Sequence, residues 1–262
     1  MFGTIILDAY EKEEVDFIVG CLNEICSPSD NYGWASAGIY SFWDYDTKEI
    51  LYIGLASDIC VRFKQHNGLL RIKDNACKYR QIQEYFETHN RLGYTILVQS
   101  ALSQPIVHRN EMLYRSFLEK PKGMPIEDYA GKEGIQNIKE AEGQLIEAYK
   151  LVVGDIPAWN KMGGNIDGRK AATEGNFYQI VKEFAMGNTN NFLVSKSTLR
   201  ELAENATYEW FEMQLHGLRS SMLTLGISFE EALKCQMEFN PFFKDNWNRI
   251  IKEKYLEKRL IV

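Results

Sequence analysis

Apolar positions recur along this chain with two different periods. The run Thr4-Ile5-Ile6-Leu7 reads as a short strand. After it, Val15, Ile18, Val19, Leu22 and Ile25 fall at helical spacing. Glu11, Glu13 and Glu14 precede them, where a helix dipole favours negative charge. Residues 27–33 (SPSDNYG) are a loop signal. Residues 37–43 and 49–56 are rich in β-branched and aromatic side chains and predict two strands joined by the turn residues 44–48. A helix is expected over 57–67, capped by Ser57 or Asp58, with Ile59, Val61 and Phe63 as its apolar contacts. A second helix is expected near 76–89 and a third strand over 93–101. Residues 106–136 mix a helix-like stretch with a Gly/Pro-rich one. Beyond them Ile135, Ile138, Ala141, Leu145, Ile146 and Tyr149 mark one face of a helix over 135–153. An irregular segment follows, and the remainder reads as helical. Thr198 with Glu201, and Ser228 with Glu231, fit the capping box, and Pro241 precedes a last helix at 243–259.

These elements predict an α+β fold, a small mixed or antiparallel three-stranded sheet flanked by helices, plus a mainly α-helical C-terminal region. The expected division is a strand and acidic helix over 1–32, a sheet domain over 33–165 with an insertion near 102–135, and a helical region over 166–262.

Composition narrows the class. The 262 residues suit one large domain or two modest ones, and 45% hydrophobic with 25% charged residues is ordinary for a globular protein. No run approaches the roughly eighteen apolar residues of a membrane span, and the N-terminus lacks the shape of a signal peptide, so a cytoplasmic protein is expected. The five cysteines are odd in number and contain no C-x-x-C, which suggests small buried residues in a reducing compartment. No two of the four histidines stand at i, i+4, so an H-E-x-x-H metal site is excluded.

The net charge of −6 argues against a polyanion partner only until it is located. All of it lies in residues 1–32, where Lys12 alone opposes seven acidic side chains. Over residues 62–80, Arg62, Lys64, Arg71, Lys73, Lys78 and Arg80 face Asp74 alone. Such a patch steers phosphate, and Lys64, Arg71, Lys73, Lys78 and Arg80 are candidate nucleic-acid contacts.

Hydrolysis of a phosphodiester needs a base for water, cations for the phosphoryl oxygens, and commonly a metal held by a hard oxygen ligand. Gly38-Ile39-Tyr40, Tyr52-Ile53-Gly54 and Arg62 hold such groups in order. Glu142-x-x-Leu145-Ile146 and Pro157-x-x-Asn160 follow, with His66 one helical turn beyond Arg62. Residues 36–161 thereby resemble the GIY-YIG nuclease family. The resemblance implies Tyr40 as general base or water-positioning group, with Tyr52 at the phosphate or sharing that activation. It implies Arg62 on the pentavalent phosphate and His66 in proton transfer or phosphate contact. It further implies Glu142 as ligand of Mg2+ or Mn2+, Asn160 as a brace, and Gly38 and Gly54 where backbone must approach closely. Glu140 and Glu147 flank Glu142 as alternatives, and the span from Arg62 to Glu142 is long for this family, which points to the insertion. The implied activity is metal-dependent DNA cleavage, of a restriction or mobile-element kind. The competing expectation is a non-catalytic nucleic-acid-binding or interaction protein that keeps the fold. The oligomeric state is not read from the sequence.

Overall fold

Among the described residues four strands form the sheet, not three. The computed structural model describes residues 2–26, 34–71, 77–99, 132–173, 175–188 and 190–262. Strand β1 spans Phe2–Tyr10, β2 Gly38–Asp44, β3 Ile50–Ala56 and β4 Leu92–Gln99, in the order β1-β4-β2-β3 with every pair antiparallel. The strand read at residues 4–7 is therefore longer and belongs to the same sheet. It extends because both of its faces are buried, so Thr4 and Asp8 sit inside the strand rather than ending it.

Helix α1 (Val15–Cys26) follows β1 through a 3-10 turn closed by a Glu11–Glu14 capping box. Helices α2 (Ile59–His66) and α3 (Tyr79–Phe86) lie between β3 and β4, and α4 (Lys132–Val153) follows β4. Residues 100–131, which hold most of the expected insertion, and residues 72–76, which hold Lys73, lie outside the described residues.

The sheet separates two apolar layers. Ile6, Tyr10, Tyr40, Phe42, Tyr52 and Tyr94 pack with Ile18 and Leu22 of α1 and with Ile59 and Phe63 of α2. Ile5, Leu7, Ile39, Ile53 and Leu97 pack on the other face with Ile138, Leu145 and Ile146 of α4. Alternation along each strand assigns neighbours to opposite layers.

The C-terminal region is helical: α5 (Ile166–Ala171), α6 (Asn176–Val181), α7 (Glu183–Met186), α8 (Leu199–Glu204), α9 (Ala206–Leu225), α10 (Phe229–Phe239) and α11 (Phe243–Lys252). Both expected capping boxes form, at Thr198 and Ser228. The last helix stops earlier than its apolar spacing predicts. Lys254 adopts a left-handed conformation (φ 55°) and breaks it. Tyr255 then turns inward and donates its hydroxyl to buried Glu212 at 2.9 Å.

Each edge strand of the sheet carries backbone hydrogen bonds to a neighbouring segment. On β1, Ile5 N–H donates to Leu193 and Ser195 N–H donates to the Ile5 carbonyl, each at 2.8 Å. On β3, Trp159 N–H donates to the Leu51 carbonyl at 2.8 Å. No helix among the described residues is long and apolar enough to cross a membrane.

Candidate active site

The β2–β3 register brings the two tyrosines together. Tyr40 pairs with Gly54 and Phe42 with Tyr52, so Tyr40 and Tyr52 are diagonal neighbours on one face, their ring centroids 5.8 Å apart. Gly54 makes the convergence possible. A Cβ there would lie 2.5 Å from the Tyr52 ring and 2.7 Å from the Tyr40 hydroxyl oxygen. What crowds Gly54 is thus the two phenols rather than backbone. At Gly38 the close neighbour is backbone, since a Cβ would collide with the Leu97 carbonyl oxygen.

Helix α2 contributes the next two groups. Asp58 starts it by accepting the Val61 N–H at 2.8 Å. Arg62 and His66, one turn apart, then reach the same phenol. Arg62 Nε donates to Tyr40 Oη at 3.1 Å, and Nη1 donates to Gln65 Oε1 at 3.0 Å. His66 Nε2 lies 2.6 Å from Tyr40 Oη. The other ring nitrogen, Nδ1, accepts the Lys78 backbone N–H at 2.8 Å. That assignment leaves the imidazole proton on Nε2, so Tyr40 Oη receives two N–H donors.

Burial sets the direction of each pKa. It drives His66 well below the usual imidazole value, helped by Arg62 and Lys78, and so keeps the ring neutral. It pushes the Tyr40 phenol well up, with Tyr52 adding to the rise and Arg62 opposing it. Tyr52 is raised by burial too, while Tyr40 and Arg62 pull it down. His66 is completely buried, which removes it from direct phosphate contact and leaves it as a donor to Tyr40.

Glu142 arrives from α4, on the helix face that carries Ile138, Leu145 and Tyr149 into the core. Burial pushes its carboxyl up to about 7, against the pull of Arg62 and the Leu55 backbone N–H. An acid whose pKa is higher folded than unfolded costs stability as pH rises through the folded value. Glu142→Gln is therefore expected to match the wild type near pH 4 in metal-free buffer. Above pH 7 it should be more stable by on the order of 2 kcal/mol, several degrees in Tm. Thermal melts across that range check it, and equal melting temperatures at pH 8 would show that the carboxylate is not strained.

Asn160 lies along the edge of β3. Its Oδ1 accepts the Ile53 N–H at 2.9 Å and its Nδ2 donates to the Ile53 carbonyl at 2.8 Å, as a neighbouring strand would. It braces the strand that carries Tyr52 and Gly54.

Tyr52, Arg62 and Glu142 line a cleft of about 320 Å³, together with Asp58 and Gln65. Tyr40 is buried and forms no part of its wall. The expected nucleic-acid contacts separate. Arg71 and Arg80 are exposed, whereas the Lys64 ammonium lies 3.5 Å from Asn23 Oδ1 on α1. Lys78 is buried, 8% exposed, and so is not part of a solvent-facing patch. Its ammonium donates to the Trp159 carbonyl at 2.7 Å and lies 4.7 Å from the centroid of the Tyr52 ring. Gln65 is the site residue that sequence reasoning missed, and Lys78, expected as a nucleic-acid contact, instead lies buried against Tyr52. Gln65 was accessible from its i+3 spacing to Arg62; nothing in the spacing distinguishes Lys78 from its basic neighbours.

Among the described residues no three His, Cys, Asp or Glu side chains cluster closely enough to hold a metal by themselves. A single carboxylate on an open cleft still fits Mg2+, which keeps several waters and takes ligands from substrate phosphates. Comparison with protein-family models, curated proteins and solved structures returns no match.

Proposed function

We propose that this protein is a GIY-YIG-type endonuclease that hydrolyses DNA phosphodiester bonds with a divalent cation. The observation that carries the reading is the convergence of Tyr52 from β3, Arg62 from α2 and Glu142 from α4 on one cleft, with Tyr40 bonded to Arg62 just inside it. The exposed cations Arg71 and Arg80, which follow α2 and begin α3, suit a phosphate backbone.

In the proposed step a water oxygen bonds to phosphorus as the bond to one ester oxygen breaks. Tyr52, on the cleft wall, passes its proton to an ionised Tyr40 and, now the phenolate, takes the water's proton. The N–H groups of Arg62 and His66 offset the charge on Tyr40 Oη. Burial keeps that ionised form scarce, so the rate climbs with pH. Arg62 also offsets charge on the phosphoryl oxygens. Glu142 would hold Mg2+ or Mn2+, which when bound would supply acidification of water and charge compensation at the departing oxygen. Asn160 keeps β3 in place through both bonds to Ile53.

The test is cleavage of supercoiled plasmid with Mg2+ or Mn2+, wild type beside Glu142→Ala. Nicked or linear product from the wild type alone supports the reading. A wild-type protein that binds DNA but leaves it intact, across several substrates and both metals, supports the non-catalytic alternative instead.

A further inference from the structure

Lys78 is a buried lysine, 8% exposed. Transferring an ammonium out of water is expensive unless its charge is used. The Lys78 ammonium donates to a neutral acceptor, the Trp159 backbone carbonyl, at 2.7 Å. The charged groups nearest in effect, Lys161 and Arg62, have its own sign and with burial push its pKa down. Three parts of the site nonetheless meet at this residue. Its backbone N–H holds His66 Nδ1 at 2.8 Å, its Nζ holds the segment that braces β3, and the same Nζ sits 4.7 Å from the centre of the Tyr52 ring. A cation over an aromatic face stabilises negative charge on that ring.

We infer that Lys78 is a positioning residue of the site, its ammonium favouring the ionised form of Tyr52 and its backbone N–H fixing His66 as a donor to Tyr40. The role rests on the nuclease reading above, but Lys78 lies outside the motif that carries the resemblance. A merely structural role is the alternative, in which Nζ does no more than anchor Trp159.

Two substitutions separate charge from anchoring. Lys78→Gln keeps an N–H donor for Trp159 and removes the charge; Lys78→Arg keeps both. The probe is 3,5-difluorotyrosine in place of Tyr52, whose acidified phenol titrates while the fold is intact, read by 19F NMR without DNA or metal. Lys78→Gln is expected to raise the titration midpoint by about one pH unit, tenfold in proton affinity. Lys78→Arg should restore it. In Tyr52 protein the same Gln variant should lose roughly tenfold in kcat with KM little changed. An unmoved midpoint in Lys78→Gln, or an equal rise in Lys78→Arg, overturns the inference. The titration uses no substrate, so it stands or falls separately from cleavage. Wild-type protein that cuts nothing, with a midpoint that follows the charge, would sink the nuclease reading and leave the pairing of Lys78 with Tyr52.

Discussion

Arg62→Ala is expected to lower metal-dependent DNA cleavage about a thousandfold, with DNA affinity changed only a few-fold. The guanidinium serves two oxygens at once. It donates to Tyr40 Oη at 3.1 Å and stands on the cleft wall beside Glu142. Removing a fixed donor at developing charge costs roughly a hundred- to a thousandfold in rate, and an arginine aimed at a transferring phosphoryl group up to about a hundred thousandfold. Lysine should rescue little, because Nε and Nη1 are committed to Tyr40 and Gln65 in one plane, which a single ammonium cannot reproduce. Single-turnover cleavage of a labelled duplex measures the rate and gel shift without metal measures affinity. A loss of less than tenfold would remove Arg62 from the chemistry.

The second large effect is on stability. Glu212 and Arg219, both fully buried, form an ion pair two turns apart on α9. Arg219 also donates to Thr4 Oγ1 at 3.0 Å, and Glu212 accepts the Lys196 N–H and the Tyr255 hydroxyl, each at 2.9 Å. The pair thus ties α9 to β1, to the segment before α8 and to the C-terminal turn. Removing one partner strands the other charge out of water. Glu212→Gln is expected to destabilise the fold by about 3–5 kcal/mol, while the double change Glu212→Leu with Arg219→Met recovers most of it. Urea denaturation monitored by circular dichroism reads both. A single variant within about 1 kcal/mol of the wild type would mean that the pair contributes no more than an exposed one.

The helices, the strand hairpin and both capping boxes were legible because each depends on residues close together in sequence. Glu142 was picked out through the resemblance, as the glutamate three residues before Leu145-Ile146, and the structure places it on the cleft wall with Arg62. The sheet's strand count was not legible. Whether β1 pairs with β4 depends on a register that sets Leu7 opposite Thr95, far apart along the chain. The end of the last helix was hidden likewise, since Tyr255 leaves helical spacing to reach Glu212.

By itself the sequence determined the order of the elements, the pairing of Tyr40 and Tyr52 on one strand face, and the placing of Arg62 and His66 one helical turn apart. Local periodicity of 3.6 along a helix places Arg62 and His66, and the short hairpin between β2 and β3 sets the register that pairs the tyrosines. Only the tertiary structure decided which side chains meet water. It turned Tyr52 to the cleft and Tyr40 inward, enclosed His66 completely, and moved Lys78 from an apparent surface patch to a place against the Tyr52 ring. The reason is physical. Burial and protonation depend on packing between segments distant in sequence, and the basic run over 62–80 looks uniform until a folded core takes in one member and leaves Arg71 and Arg80 in solvent.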